Sequence, residues 1–178
     1  MRLRFLASVL LLAAFGPTLA HTASKTHRHG SDPHAADLKF IRQAYAYQDY
    51  GWCRMDVAEA LSYTTDDYTS TAVTGGILSK GAITRQLYSL FVSLYHAGAT
   101  ITVTTDILKA SFNGNMATVI TECSAHASKP APAQPTGSSR AFDANGYYDE
   151  DTWVRAATGW ALQSSHEYAE GQVTPSSP

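Results

Sequence analysis

The sequence predicts an α+β fold in which helices cover one face of an antiparallel sheet. Two features carry that class: apolar residues recur at helical spacing in the first half of the chain, and from Ile101 onward they alternate with polar ones at the period of a strand. Asn113-Gly114, between two alternating runs, adds a tight hairpin turn. Helices followed by a run of antiparallel strands form segregated layers, with the helices on one side of the sheet.

The first helix is expected from Ala35, after the start signal Asp32-Pro33, with Leu38, Ile41, Ala44 or Tyr45, and Gln48 or Tyr47 recurring at helical spacing and Gly51 as its stop. A second, from about Asp56 to Tyr63, carries Val57, Ala60 and Leu61 on one side. Tyr68 to Val73 follows as a strand closed by Gly75-Gly76. The third helix, about Gly81 to Tyr95, aligns Ile83, Leu87, Leu90, Phe91 and Leu94 before Gly98 breaks it. Four strands then run from Ile101 to Leu108, Ala117 to Ala127, Phe142 to Ala156 and Trp160 to Tyr168. Between the second and third of these, Ser128 to Arg140 holds Pro130, Pro132 and Pro135 and is expected as an exposed loop.

The chain of 178 residues fits one domain with tails, and 44% hydrophobic content describes a globular core. Residues 1–20 form a secretory signal pattern: Arg2 and Arg4, an apolar run from Leu6 to Phe15, then small residues up to Ala20. Gly16-Pro17 ends that run short of a membrane span, so the mature chain is expected to be secreted or periplasmic, with no membrane contact after cleavage. Losing Arg2 and Arg4 takes the 13 basic residues to 11 against 15 acidic ones, a net charge of about −4. Nucleic acid is thereby an unsuitable partner, since phosphate contacts need a basic face. An exporting compartment permits Cys53 and Cys123 to pair, but spacing alone leaves a disulfide and two buried thiols equally open.

Residues 21–36 hold His21, His27, His29 and His34. An N-terminal His21 with its neighbours would chelate copper, whereas a solvated polar tail needs no ligand; no Cys or carboxylate spacing favours the metal, and none is expected. The domain itself spans 37–168, and 169–178 are expected as a disordered tail. Phosphate-binding loops, HExxH, CxxC and GxSxG are absent from the sequence, which removes the usual signatures of nucleotide hydrolysis, zinc proteolysis and serine-esterase chemistry.

Strict alternation places Tyr147, Asp149, Asp151, Trp153 and Arg155 on one face of their strand, and Trp160, Leu162, Ser164, His166 and Tyr168 on one face of the next. The two tryptophans suit the space between sheet and helices. A carboxylate two residues before a buried tryptophan must then be paired, hydrated or protonated, which singles out Asp151. His166 is the second titrating candidate, because it shares a face with Trp160; His126 alternates with Glu122 and Ser124, away from Val119 and Cys123.

Three stretches together resemble the NTF2-like superfamily, especially its SnoaL-like and DUF4440-type members: Met55-Asp56-Val57-Ala58-Glu59-Ala60-Leu61-Ser62-Tyr63-Thr64-Thr65-Asp66-Asp67-Tyr68, then Lys80-Gly81-Ala82-Ile83, then Asp151-Thr152-Trp153-Val154 with Gly159-Trp160 and Ser164-Ser165-His166. The resemblance covers about Asp37 to Tyr168. It implies a cone whose curved sheet and three N-terminal helices enclose a pocket, and a homodimer formed through the sheet. Compared with the ketosteroid isomerases of that superfamily, the position of the carboxylate base is occupied by Ala72, the protonated aspartate that serves the oxyanion corresponds to Asp151, and the first-helix tyrosine falls near Tyr45 or Tyr47. Compared with scytalone dehydratases, Tyr47, Asp49 and His126 match loosely, and the strand from Ile101 to Leu108 lacks their other histidine. SnoaL-like cyclases imply Asp151 as a pocket acid/base.

The expected site is a pocket lined by Tyr45, Tyr47, Trp153 and Trp160, with Asp151 and His166 as titrating groups. Its expected ligand is a small apolar or aromatic molecule, with no cofactor. Three functions remain open on the sequence: a binder without chemistry, a cofactor-free isomerase, cyclase or dehydratase, and a dimeric interaction module.

Overall fold

The computed structural model describes residues 33–128 and 142–168. Helix α1 (Ala35–Arg54) buries Ile41, Ala44, Tyr45, Gln48 and Gly51, one stripe at helical spacing. It runs past the expected stop at Gly51 and ends on Met55 in the left-handed conformation, whose N–H bonds back to the Trp52 carbonyl. Gly51 serves a different purpose. A Cβ there would lie 2.4 Å from the Ala60 nitrogen, so the missing side chain lets α2 (Val57–Ala60) cross against α1. That second helix is one turn, shorter than its apolar spacing suggests; Asp56 caps it by accepting from the N–H groups of Ala58 and Glu59.

Strand β1 (Thr64–Thr71) starts earlier than the apolar pattern indicates, because its polar first residues find partners on another strand. The short β2 (Ile77–Ser79), which no periodicity marks, pairs back on β1. Helix α3 (Lys80–His96) is capped by Ser79 and buries Leu87 and Phe91. Strands β3 (Thr100–Asn113) and β4 (Met116–Ser128) form the hairpin expected at Gly114, and β5 (Phe142–Ala156) and β6 (Gly159–Tyr168) form a second. The sheet order is β2-β1-β6-β5-β4-β3, antiparallel except where β1 runs parallel to β6. Irregularities interrupt the β3/β4, β4/β5 and β5/β6 ladders, and bulges of this kind bend and twist the sheet locally.

The core lies where α1 meets the concave face. Ile41, Ala44 and Tyr45 pack on Ala117, Val119, Trp153, Trp160 and Leu162. Asp37, in the first turn of α1, accepts two 2.9 Å hydrogen bonds from Arg155 and one of 3.0 Å from Trp160 Nε1, which ties the helix start to the β5–β6 hairpin. Further along, α1 covers part of the β3 edge: Asp49 accepts from the Thr105 N–H and hydroxyl, both at 2.8 Å, and Cys53 Sγ accepts from the Val103 N–H. Donors that would otherwise recruit another strand are thus used within the chain. Cys53 and Cys123 are both free thiols, Cys53 exposed and Cys123 half-buried, so neither a disulfide nor a pair of buried thiols is present. The signal segment, the histidines before Pro33, most of the proline-rich loop and the C-terminal tail lie outside the described residues.

Candidate functional site

Asp151 is 3% exposed and sits at the centre of a hydrogen-bonded chain of side chains. Its Oδ2 accepts from the Tyr45 hydroxyl at 2.5 Å, and its Oδ1 accepts from the Ser165 hydroxyl. Tyr45 in turn accepts from Trp153 Nε1 at 2.9 Å, and Ser165 accepts from the Tyr68 hydroxyl at 3.1 Å. Four elements, α1, β1, β5 and β6, therefore converge on one carboxylate. Burial pushes the Asp151 carboxyl up to about 6, against the pull of the Ser165 and Tyr45 donors that favour its ionised form. Burial first, and then the neighbouring Asp151, hold the Tyr45 hydroxyl well above its usual value, so it acts as a donor and not as a base.

Asp149 lies two residues earlier on the same face of β5, between Thr121 of β4 and Glu167 of β6. It is half-buried, and no hydrogen bond from the described residues reaches its carboxylate. Burial, then Asp151, then Glu167 push it up to about 7. Both carboxyls of this acidic pair are raised by burial, and the two donors to Asp151 oppose the rise there, whereas none does so at Asp149. Glu167 is also raised by burial, with the Val73 N–H opposing. Cys123, beside Tyr147 in the register, has its thiol pushed up to about 12 by burial, which removes it as a nucleophile near neutral pH.

The sequence-expected site residues separate. Tyr45, Trp153 and Trp160 all belong to the core; Trp153 has no exposed surface, and Tyr45 meets it edge to face with centroids 5.1 Å apart. They are packed into the core and line no cavity found among the described residues. Tyr47 is 43% exposed and packs edge-on against Tyr63, on the far side of α1 from the core stripe. His166 does not share a face with Trp160 and Leu162. Trp153 pairs with Leu162 while Thr152 pairs with Ser164, so Gln163 is an extra residue and the alternation reverses beyond it. Ser165 and Glu167 point inward, and His166 is exposed on the opposite face against Tyr168. Ala72 lies in the β1–β2 turn, where its N–H bonds to the Gly76 carbonyl. Asp49 is engaged by Thr105, and His126 is exposed on the outer face.

Asp149 had one signal in the sequence, its shared face with Asp151. Ser165 lay within the Ser164-Ser165-His166 stretch, but alternation from Trp160 put it on the other face, since the bulge that turns it inward is a property of strand pairing. Among the described residues, no group of three His, Cys, Asp or Glu side chains is arranged to hold a metal ion.

No protein-family model matches the chain, and no curated protein matches it. Solved structures do. An NTF2-like superfamily protein from Salmonella enterica serovar Typhimurium is similar at TM-score 0.58 and 12% identity, over 81% of this chain and 98% of that one. An NTF2-like protein with a cystatin-like fold from Novosphingobium aromaticivorans is similar at TM-score 0.55 and 15% identity, over 78% and 85%. A domain of unknown function with a cystatin-like fold from Nostoc punctiforme matches at TM-score 0.55 and 15% identity, over 79% and 80%. With the helix order, the bent sheet and the position of the core, these likenesses show that the chain has the NTF2-like fold.

Proposed function

We propose that the chain is an exported protein whose cone binds a small, largely apolar or aromatic molecule, with the polar end of that molecule directed at Asp149. The observation that supports this is a half-buried carboxylate with no hydrogen-bond partner among the described residues, two positions from Asp151, whose two oxygens both accept side-chain hydrogen bonds. A buried polar group is normally satisfied, so an open one facing a concave sheet suits a ligand that donates to it. Asp149, Asp151 and Glu167 share that face without an ion pair to any described basic group, which disfavours an anionic ligand. No cofactor enters this proposal.

Export follows from the N-terminal pattern of Arg2, Arg4 and Leu6 to Phe15, and a homodimer through the outer sheet face would leave the cone mouth accessible. A second function rests on the same carboxylate. A group titrating near neutral pH can take and return one proton, so a cofactor-free isomerase, cyclase or dehydratase of SnoaL-like type would use Asp149 as its acid/base, with Asp151 behind it.

Native mass spectrometry of the protein purified from the exported fraction tests the binding function. A retained organic mass that Asp149→Asn loses or weakens is the expected result; an empty cone in both forms would overturn it. Turnover of the recovered ligand by the wild type and its loss in Asp149→Asn would add catalysis, whereas unchanged turnover would remove Asp149 from the chemistry.

A further inference from the structure

A second concavity lies outside the cone, between the first turns of α1 and the edge strand β3. It encloses about 300 Å³, at the small end of the range for small-molecule sites. Leu38, Ile107 and Phe112 line it with apolar surface, and the His34 ring lies flat on Phe112 with centroids 4.5 Å apart. Arg42 and Lys109 complete the lining, and neither has an ion-pair partner among the described residues. The bulge after Ile107 separates the groove from the stretch of edge that Asp49 and Cys53 cover.

We propose that this groove binds a small amphipathic carboxylate, its apolar body on Leu38, Ile107 and Phe112 and its head group between Arg42 and Lys109. Charge complementarity selects the occupant. The chain is acidic overall, the concave face of the sheet carries carboxylates, and two cations without an ion-pair partner among the described residues flank this apolar hollow. A cation over apolar surface satisfies an amphipathic anion at both ends, and guanidinium offers a carboxylate two parallel donors. The enclosed volume favours a free, short-chain molecule over a lipid surface, which would lie across the groove without entering it.

Titration of the isotopically labelled protein with decanoate, below the concentration at which it forms micelles, tests the assignment by amide chemical shifts. Saturable shifts are expected at Leu38, Leu108 and Ala110, with none at Thr121 or Glu167, and decanol should not reproduce them. The double variant Arg42→Gln/Lys109→Gln should weaken decanoate roughly fivefold, as for two exposed charges, and its amide spectrum should otherwise keep the wild-type fold. Equal binding of decanol, shifts confined to the concave face, unchanged affinity in the double variant, or response only to phosphatidylglycerol vesicles would each overturn the proposal.

Discussion

Asp149 and Asp151 are two residues apart on one strand, and burial raises both carboxyls, with hydrogen-bond donors opposing the rise only at Asp151. Folded, the pair holds protons that the unfolded chain releases above the ordinary carboxylate pKa, so stability falls as pH rises from about 4 to about 7. Asp149→Asn removes the charge that burial opposes: the variant should be more stable than wild type at pH 8 by about 1–2 kcal/mol and nearly equal to it at pH 4. Urea midpoints at the two pH values measure this. Tyr45→Phe deletes both the donor to Asp151 and the acceptor for Trp153 Nε1. It should cost about 2–3 kcal/mol in urea unfolding, more than Ser165→Ala, which withdraws a hydroxyl from the half-buried end of the chain.

Among the elements, α1 sets the geometry of everything else, since it closes the cone, carries Tyr45 and covers part of the β3 edge. Its crossing with α2 depends on Gly51, where an added methyl would meet backbone and not a movable side chain. Gly51→Ala should therefore destabilise by about 1–3 kcal/mol, read as a lowered thermal midpoint, although alanine is the better helix former. The start of α1 is held electrostatically. Arg155 first, then Trp160, hold the Asp37 carboxyl down at about 2, so its contribution is present above pH 4 and is lost as pH falls toward 2. Asp37→Asn should cost up to about 1 kcal/mol at pH 6, given the exposure of the pair, and nothing at pH 2. Urea titrations at both pH values distinguish these outcomes.

At the level of the whole molecule the two sets of carboxylates act against each other. Raised groups on and near the concave face, Asp49, Asp149, Asp151 and Glu167, favour folding at acid pH, and the lowered Asp37 at the helix start favours it above pH 4. The protein should reach maximum stability near pH 4–5, below the usual neutral optimum, and a urea midpoint series from pH 3 to 8 would show the peak there. The described chain also sorts charge by location. The concave face holds Asp149, Asp151 and Glu167, and the groove beside β3 exposes Arg42 and Lys109.

Much of the architecture was legible in the sequence because it depends on local periodicity. The helical stripe through Ile41, Ala44 and Tyr45, the alternation from Ile101 to Ile107 and the hairpin at Gly114 all reappear. Elements stabilised mainly by partners were less legible: β2 is three residues long, the first half of β1 is polar, and Gly51 resembles a stop when its role is a contact with Ala60. The candidate site divides in the same way. Sequence alone determined that an acid would stand beside Trp153 on an inward face, since composition and a period of two suffice for that. Tertiary structure decided which acid remains open, because a single extra residue at Gln163 turns Ser165 toward Asp151 and His166 away from it. That reversal follows from strand pairing between distant segments, which no local pattern encodes.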